Sequence, residues 1–357
     1  DPVTGAWTVT VPNADALPDS TVGYTPSIKV TDTAGNSTIT AGTLFKVDTT
    51  APLASTIAGG LDTTVAGQTA TVGGASTPLT GDNTPALSGT SEPGSAVSVT
   101  INGKTYTSLG ATPAITVNPT TGTWTLQIPA GDALPDGTYA PSVTTTDAAG
   151  NSTTKTGASF VVDATAPLAS SLTGRLSNST DTFVGAEDSN TGISDTDTIT
   201  NDVTPQFNGQ AEPYATVTIY VKDGTTTAAT LTATADANGI WSVTSSTLAA
   251  GKTYTIDATQ TDKAGNTSAS KTLQSLTIDT AGPTGTTGGL AATSDTGNGV
   301  PATTTDNLTN NNKPTLSGAA EPGATVEVTL NGKIYTTTAD PVTGAWTVTV
   351  PNADALP

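Results

Sequence analysis

The chain repeats itself at the length of a small domain. Asp32-Thr33-Ala34-Gly35-Asn36 returns as Asp147-Ala148-Ala149-Gly150-Asn151 and as Asp262-Lys263-Ala264-Gly265-Asn266, and both spacings are 115 residues. Each copy leads into a final apolar run that ends in aspartate: Phe45-Lys46-Val47-Asp48, Phe160-Val161-Val162-Asp163 and Leu276-Thr277-Ile278-Asp279. A step of the kind Thr49-Thr50-Ala51-Pro52 then opens the next unit. A period of this size means serial domains, each with its own core, and function is to be sought in the array and its joints.

Residues 1–18 recur letter for letter as residues 340–357. The sequence therefore reads as one three-domain block plus an overlap, cut from something longer, with each end inside a domain. The expected boundaries are 1–48 for the C-terminal part of a domain, 49–163 and 164–279 for two whole ones, and 280–357 for the N-terminal part of another.

Each unit reads as strands. Ala6-Trp7-Thr8-Val9-Thr10-Val11 alternates apolar and polar, as do its counterparts beginning at Trp124, Trp241 and Trp346. Such alternation marks a half-buried strand, and one Trp per unit at one strand position is a core anchor rather than a sugar-stacking platform. Leu134-Pro135-Asp136-Gly137-Thr138-Tyr139, matched around Tyr24 and Tyr254, resembles the tyrosine corner of a two-sheet sandwich. From Tyr139 the parity of the next strand carries the Tyr face to Asp147, and the expectation is that Asp147 and Asp163 meet at one pole. Asn102-Gly103 and Asn331-Gly332 are hairpin turns that need positive φ at both central residues. With Glu92-Pro93, Glu212-Pro213 and Glu321-Pro322 each opening a further Val-rich strand, the count is about seven short strands per unit. That predicts an all-β chain of tandem Ig-like sandwiches in an extended rod.

Taken in order, Asp-x-Ala-Gly-Asn, Val-Asp-Thr-Thr-Ala-Pro, Thr-Pro-x-Leu-Ser-Gly, Glu-Pro-Gly-Ala-x-Val and the Trp of each unit resemble bacterial Ig-like repeats. These are the repeats of giant biofilm-associated and type I-secreted surface adhesins. The resemblance covers essentially the whole chain. It implies an extracellular or cell-surface stalk without enzymatic activity, often with Ca²⁺ at the domain junctions.

Composition narrows the chemistry. The net charge is −19 with no basic cluster, which argues against nucleic-acid or anionic-membrane partners. No His or Cys occurs, so the commonest general base, thiolate sites and disulfides are absent. Asn36, Asn151, Asn178, Asn266 and Asn307 stand in glycan-acceptor triplets, which matter only in a pathway that modifies them. A Lys–Asn cross-link is disfavoured because Lys104 and Lys333 align while the third unit carries Lys222 in a longer hairpin. Two other readings are a glycan- or protein-recognising module and the spacer array of an extracellular enzyme.

Oxygen-only ligands suit Ca²⁺. The candidates are the turn and final-strand pairs Asp32 with Asp48, Asp147 with Asp163 and Asp262 with Asp279, joined by acids of the following leader. Those are Asp82 in the first leader, Glu187, Asp188, Asp195, Asp197 and Asp202 in the second, and Asp295 and Asp306 in the third. The alternative is that the turn aspartates cap their own turns and the leader acids are solvated. The expected partners are neighbouring repeats of a long chain or end-to-end copies, with homotypic contacts between fibres.

Overall fold

A computed structural model describes residues 1, 3–58, 69–72, 75–177, 198–296 and 306–357. The chain forms two compact units. One comprises Asp1–Thr198, Thr204–Leu248 and Thr253–Leu276; the other comprises Ile199–Val203, Ala249–Lys252 and Thr277–Pro357. The described residues are strands, turns and a few single 3-10 turns.

In the first unit, the strands between Thr56 and Val162 form a sandwich. One sheet orders Thr56–Ala58, Ala86–Thr90, Thr123–Gln127 and Ile115–Val117; the facing sheet orders Ser152–Thr156, Ser142–Thr146, Ala96–Ile101 and Lys104–Thr107. The inward side chains of both sheets meet in Leu87, Val97, Val99, Ile115, Trp124, Leu126 and Val143, and Phe160 of the last strand packs against them. Alternation produces this core directly: in Thr123–Gln127 only Trp124 and Leu126 are buried. Trp124 explains the glycine of Ser88-Gly89, because a Cβ on Gly89 would collide with the indole and with the Thr56 carbonyl. The last strand, Phe160–Val162, pairs parallel with Leu79-Thr80 and antiparallel with Gly137–Tyr139. The Tyr139 hydroxyl donates to the Pro135 carbonyl at 2.6 Å, and Tyr24 does the same to Pro18 at 2.7 Å, so the expected tyrosine corner is present.

The same plan recurs around Phe207, Val217, Ile219, Trp241 and Ile256, all buried. Here the hairpin Thr216–Asp223 with Thr226–Thr234 is longer and carries a bulge between Val221 and Lys222. Among the described residues of 1–48 the strand pairing is the hairpin Ser27–Thr31 with Ser37–Ala41 and an isolated bridge from Tyr24 to Phe45, beside a 3-10 turn at Asn13–Asp15, so the strand expected over residues 6–11 does not form.

In the second unit, Thr287–Leu290, Thr315–Ala319 and Ala345–Thr349 form a three-stranded sheet, and Thr325–Leu330 pairs with Lys333–Thr338. Val326, Ala339, Trp346 and Val348 make its small core. Asn102 and Gly103 have φ of 49° and 73°, and Asn331 and Gly332 repeat this at 49° and 75°, as their hairpins require.

Candidate functional site at the domain junctions

The Asp-x-Ala-Gly-Asn turn is a joint. Asp147 Oδ1 accepts the N–H groups of Ala149, Gly150 and Asn151 at 2.8–2.9 Å, which closes the turn. Gly150 takes φ 97°, a left-handed conformation that favours glycine. The Asn151 amide has two hydrogens and uses both: one goes to Asp147 Oδ2 at 2.9 Å, the other to the carbonyl of Asp48 at 3.0 Å, in the preceding domain. Asn266 repeats the arrangement, donating to Asp262 Oδ2 at 2.9 Å and to the Asp163 carbonyl at 2.6 Å. Asp32 and Asn36 form the same closed turn.

The turn aspartate therefore does not meet the final-strand aspartate of its own domain. Asp147 stands beside Asp48 and Asp262 beside Asp163, across the joints. The reason lies in chain direction: Ser142–Thr146 runs up to the turn, Ser152–Thr156 returns, and Phe160–Val162 pairs with Gly137–Tyr139 at the opposite end. Parity fixes the face of a residue, while the pole depends on how many strand lengths separate two residues.

The exit side is clamped by a second carboxylate. Asp136 accepts the Ala164 N–H at 2.7 Å and the Thr165 hydroxyl, just as Asp19 accepts the N–H and hydroxyl of Thr49 at 2.8 and 2.7 Å. Thr165 is the main cause holding the Asp136 carboxyl below its ordinary range, and Thr50 plays that part for Asp19. Ser20, Gly137 and Gly251 occupy one position, each opposed to the last apolar residue of its domain. The residue before it is Asp19, Asp136 and Ala250 in turn, so the third domain lacks this acid.

On the entry side each leader is pinned to the domain it opens. At the first joint the hydroxyls of Ser55 and Thr145 bond to each other in a buried position, Thr153 donates to the Pro52 carbonyl at 2.6 Å, and the Leu53 N–H donates to Glu92 at 3.2 Å. At the second, Gln260 stands where Thr145 stood and is fully buried. Its Oε1 accepts the Glu212 N–H at 2.8 Å, and its Nε2 donates to the Leu168 carbonyl and Ser171 hydroxyl at 2.8 and 2.9 Å. The domains approach closely here, since a Cβ on Gly81 would lie 2.7 Å from the Ala264 carbonyl oxygen.

The second joint concentrates negative charge. Burial, then Asp262, then Asp136 push the Asp163 carboxyl above its ordinary value. Burial, then Asp262, then Asp163 do the same to Glu212. Asp147 is lowered instead, chiefly by the Asn151 amide. Among the described residues no three such side chains converge closely enough to hold a metal ion. The donor set at this joint, Asp163, Glu212 and Asp262, is nonetheless all hard oxygen, which fits Ca²⁺ rather than a transition metal.

The remaining candidates are scattered. Asp82 accepts the N–H and hydroxyl of Thr84 at 2.7 and 2.8 Å, and Asp48 and Asp279 accept the N–H of Thr50 and Ala281, so all three act within their own turns. Asp202 begins a turn on the Thr200 hydroxyl. Glu187, Asp188, Asp195 and Asp197 lie outside the described residues. In the second unit Asp295 is buried, one oxygen accepting the Asn307 N–H at 3.3 Å and the other without a hydrogen-bond partner among the described residues, while Asp306 accepts the Leu308 N–H at 3.0 Å. Sequence reasoning missed Glu212, Asp136, Gln260 and the bridging role of the turn Asn. The recurrence of Glu92, Glu212 and Glu321 at one position was the available signal for Glu212.

These joints define serial Ig-like sandwiches tied end to end by short polar straps. A bacterial Ig-like domain family matches residues 62–164, 177–280 and 283–355, and a second bacterial Ig-like family matches residues 1–49. The chain belongs to the bacterial Ig-like domain family. It is similar to a solved structure described as a Ca²⁺-stabilized adhesin that helps an Antarctic bacterium reach out and bind ice, at 25% identity over 92% of this chain and 73% of that one, TM-score 0.35. It is also similar to a tetra-tandem repeat from the extending region of a large adhesion protein, at 21% identity over 92% and 73%, TM-score 0.26. A third likeness is to a structure described in terms of host cell surface retention of a 1.5-MDa bacterial ice-binding adhesin, at 25% identity over 80% and 85%, TM-score 0.32. Among curated proteins, none matches the chain. No described helix is long and apolar enough to cross a membrane.

Proposed function

We propose that the chain is a stalk segment of a bacterial surface adhesin or extracellular fibre, an extended rod of Ig-like sandwiches that Ca²⁺ stiffens at the joints in support of adhesion or biofilm formation. At the first and second joints, leaders tied by hydrogen bonds to both neighbouring domains leave little slack. The observation that carries the Ca²⁺ reading is the crowding of Asp163, Glu212 and Asp262 at the second joint, where burial first and the neighbouring carboxylates second raise Asp163 and Glu212. A divalent cation supplies the positive charge this joint lacks. Asp163 and Glu212 would bind it, and Asp262 would add an outer contact.

Titration calorimetry of chelator-treated protein with Ca²⁺ tests this. Binding should raise the unfolding stability of the joint by about 2–3 kcal/mol at free Ca²⁺ roughly a hundredfold above Kd, and Asp163→Ala should weaken the binding. Equal melting temperature and equal hydrodynamic radius in Ca²⁺ and in chelator would overturn it.

A further inference from the structure

One hairpin occupies the same place in the sandwiches around Trp124 and Trp241 and ends differently in each. In the first the outer strand is short: Lys104–Thr107 pairs with Ala96–Ile101, and the chain then crosses to the facing sheet, where Ile115–Val117 pairs with Thr123–Gln127. In the second the outer strand, Thr226–Thr234, stays on Thr216–Asp223 along its whole length and is the outermost strand of its sheet. Residues 224–235 hold no charged residue and no proline. Native sheets blunt such edges with charge, proline or brevity, because an open ladder of N–H and carbonyl groups invites another strand. The bulge between Val221 and Lys222 lies near the hairpin end and leaves residues 229–234 regular.

The register fixes which groups are open. The Ala235 N–H donates to the Ala215 carbonyl at 2.9 Å, so Ala233, Leu231 and Ala229, at alternate positions, turn their main-chain groups toward Thr216–Asp223. Thr230, Thr232 and Thr234 turn theirs to the open edge. The side chains of Leu231, Ala229 and Ala233 lie on the core side, opposite the buried Ile219, Val221 and Val217, yet are themselves only half-buried.

From this edge we infer that the chain pairs with a second copy of itself, Thr226–Thr234 lying antiparallel against Thr226–Thr234 about a twofold axis at Leu231. A strand paired antiparallel about a twofold is its own complement, so one edge serves both copies. Thr230 of each copy then exchanges main-chain hydrogen bonds with Thr232 of the other, and Leu231 meets Leu231 at the non-hydrogen-bonded position, where side chains come closest. Ala229 of each copy faces Ala233 of the other, which leaves the leucines room and covers an apolar row that neither copy buries alone. Charge permits this contact. Copies of a chain of net charge −19 repel, and this register sets Asp236 of one copy opposite Thr226 of the other, with Asp223 beyond the pair, so no acid faces an acid. A strand pair of this length falls well below the roughly 1,600 Å² of a standard interface, so one contact is weak and reversible, and many along two fibres add up. The inference rests on the sandwich around Trp241 alone and needs neither Ca²⁺ nor the stalk reading.

Cysteine cross-linking of the whole chain, in chelator, tests it, because the chain has no cysteine of its own. Leu231→Cys should give a disulfide-linked dimer in a glutathione redox buffer, since the twofold sets the two sulfurs opposite each other. Ala229→Cys and Ala233→Cys should each stay monomeric alone and cross-link when mixed. Thr230→Lys with Thr232→Lys, both at exposed positions that leave the core intact, sets like charges across the pair; added to Leu231→Cys, it should slow the cross-link about tenfold, whereas Thr230→Lys with Thr232→Glu should not slow it. Absence of a dimer from Leu231→Cys, or a cross-link indifferent to the like charges, would overturn the inference. Ala229→Cys cross-linking alone as fast as Leu231→Cys would overturn the register.

Discussion

The first and second joints share straps and differ in what lies beneath them. In both, an asparagine amide ties its own turn to the last carbonyl of the preceding domain, and a carboxylate clamps the exit threonine. Beneath the strap, the first joint has a pair of small hydroxyls, and its Glu92 accepts the leader N–H of Leu53. The second has the long buried amide of Gln260, which takes over the task of holding the leader, and its Glu212 carboxylate faces Asp262 and Asp163 instead. The repeat thus conserves the geometry of the joint while leaving its charge to vary. At the first joint Asp147 and Asp19 are held low by their own donors, and at the second burial and then the neighbouring carboxylates raise Asp163 and Glu212.

The largest break in this comparison should come from Gln260→Leu. It removes three hydrogen bonds and leaves the Glu212 N–H without its acceptor, while the Leu168 carbonyl keeps the Ser171 N–H and hydroxyl, at a cost of about 3 kcal/mol. Thr145→Val at the equivalent place of the first joint removes one hydroxyl pair and should cost about 1 kcal/mol. Urea unfolding of each variant measures the difference. Equal losses would mean that the amide is a space-filler and the two joints are pinned alike.

A smaller effect is expected from the straps. Asn266→Ala and Asn151→Ala each lose one bond within the turn and one to the neighbouring domain, about 1–2 kcal/mol in all. Because the straps are the shared part of the two joints, the two losses should agree. Amide hydrogen exchange across Asp48–Pro52 and Asp163–Pro167 would show it, as faster exchange in the leader beside the altered turn. A strap whose removal leaves its leader protected is no strap.

Much of this molecule could be read from local pattern. Strand alternation, the positive-φ Asn-Gly hairpins, the tyrosine corner and the Trp anchor each involve residues within a few positions of one another, and each stands where expected, with the anchor buried at Trp124, Trp241 and Trp346. Residues 6–11, by contrast, form no strand and Trp7 is exposed, since no described strand pairs with them. The joint was less legible because its partners are far apart in the chain. Asn151 reaches a carbonyl that belongs to Asp48, and nothing in the motif distinguishes an asparagine that only closes a turn from one that also bridges. Gln260 sits in a strand position that alternation marks as inward, where a polar residue is a warning sign. Its three partners come from two distant loops, so the sequence could flag the position without giving its purpose. The pole of Asp163 was misjudged for the same reason: its location depends on a third strand reversing direction.

The smallest effect separates the joints by pH. For Asp163 and Glu212 the folded carboxyl holds its proton at higher pH than the unfolded one, so within that window the native state binds more protons. Unfolding free energy then falls as pH rises through the window. Metal-free protein should accordingly gain stability as pH is lowered from neutral toward the ordinary carboxylate values of 3.8 and 4.5. Asp147, Asp136 and Asp19 run the other way. Their folded carboxyls are depressed, so their contribution is present above 3.8 and is lost as pH falls through their lowered values. The melting temperature in chelator should therefore pass through a shallow maximum on the acid side of neutral and then drop. Asp163→Asn with Glu212→Gln should flatten the rise and keep the drop, because the second joint supplies the first and the turns and clamps supply the second. Ca²⁺ should invert the rise, since protons and cation compete for the same oxygens and lowering the pH then removes a bound ligand. A rise that survives both substitutions would place the titrating groups elsewhere and leave the two joints electrostatically alike.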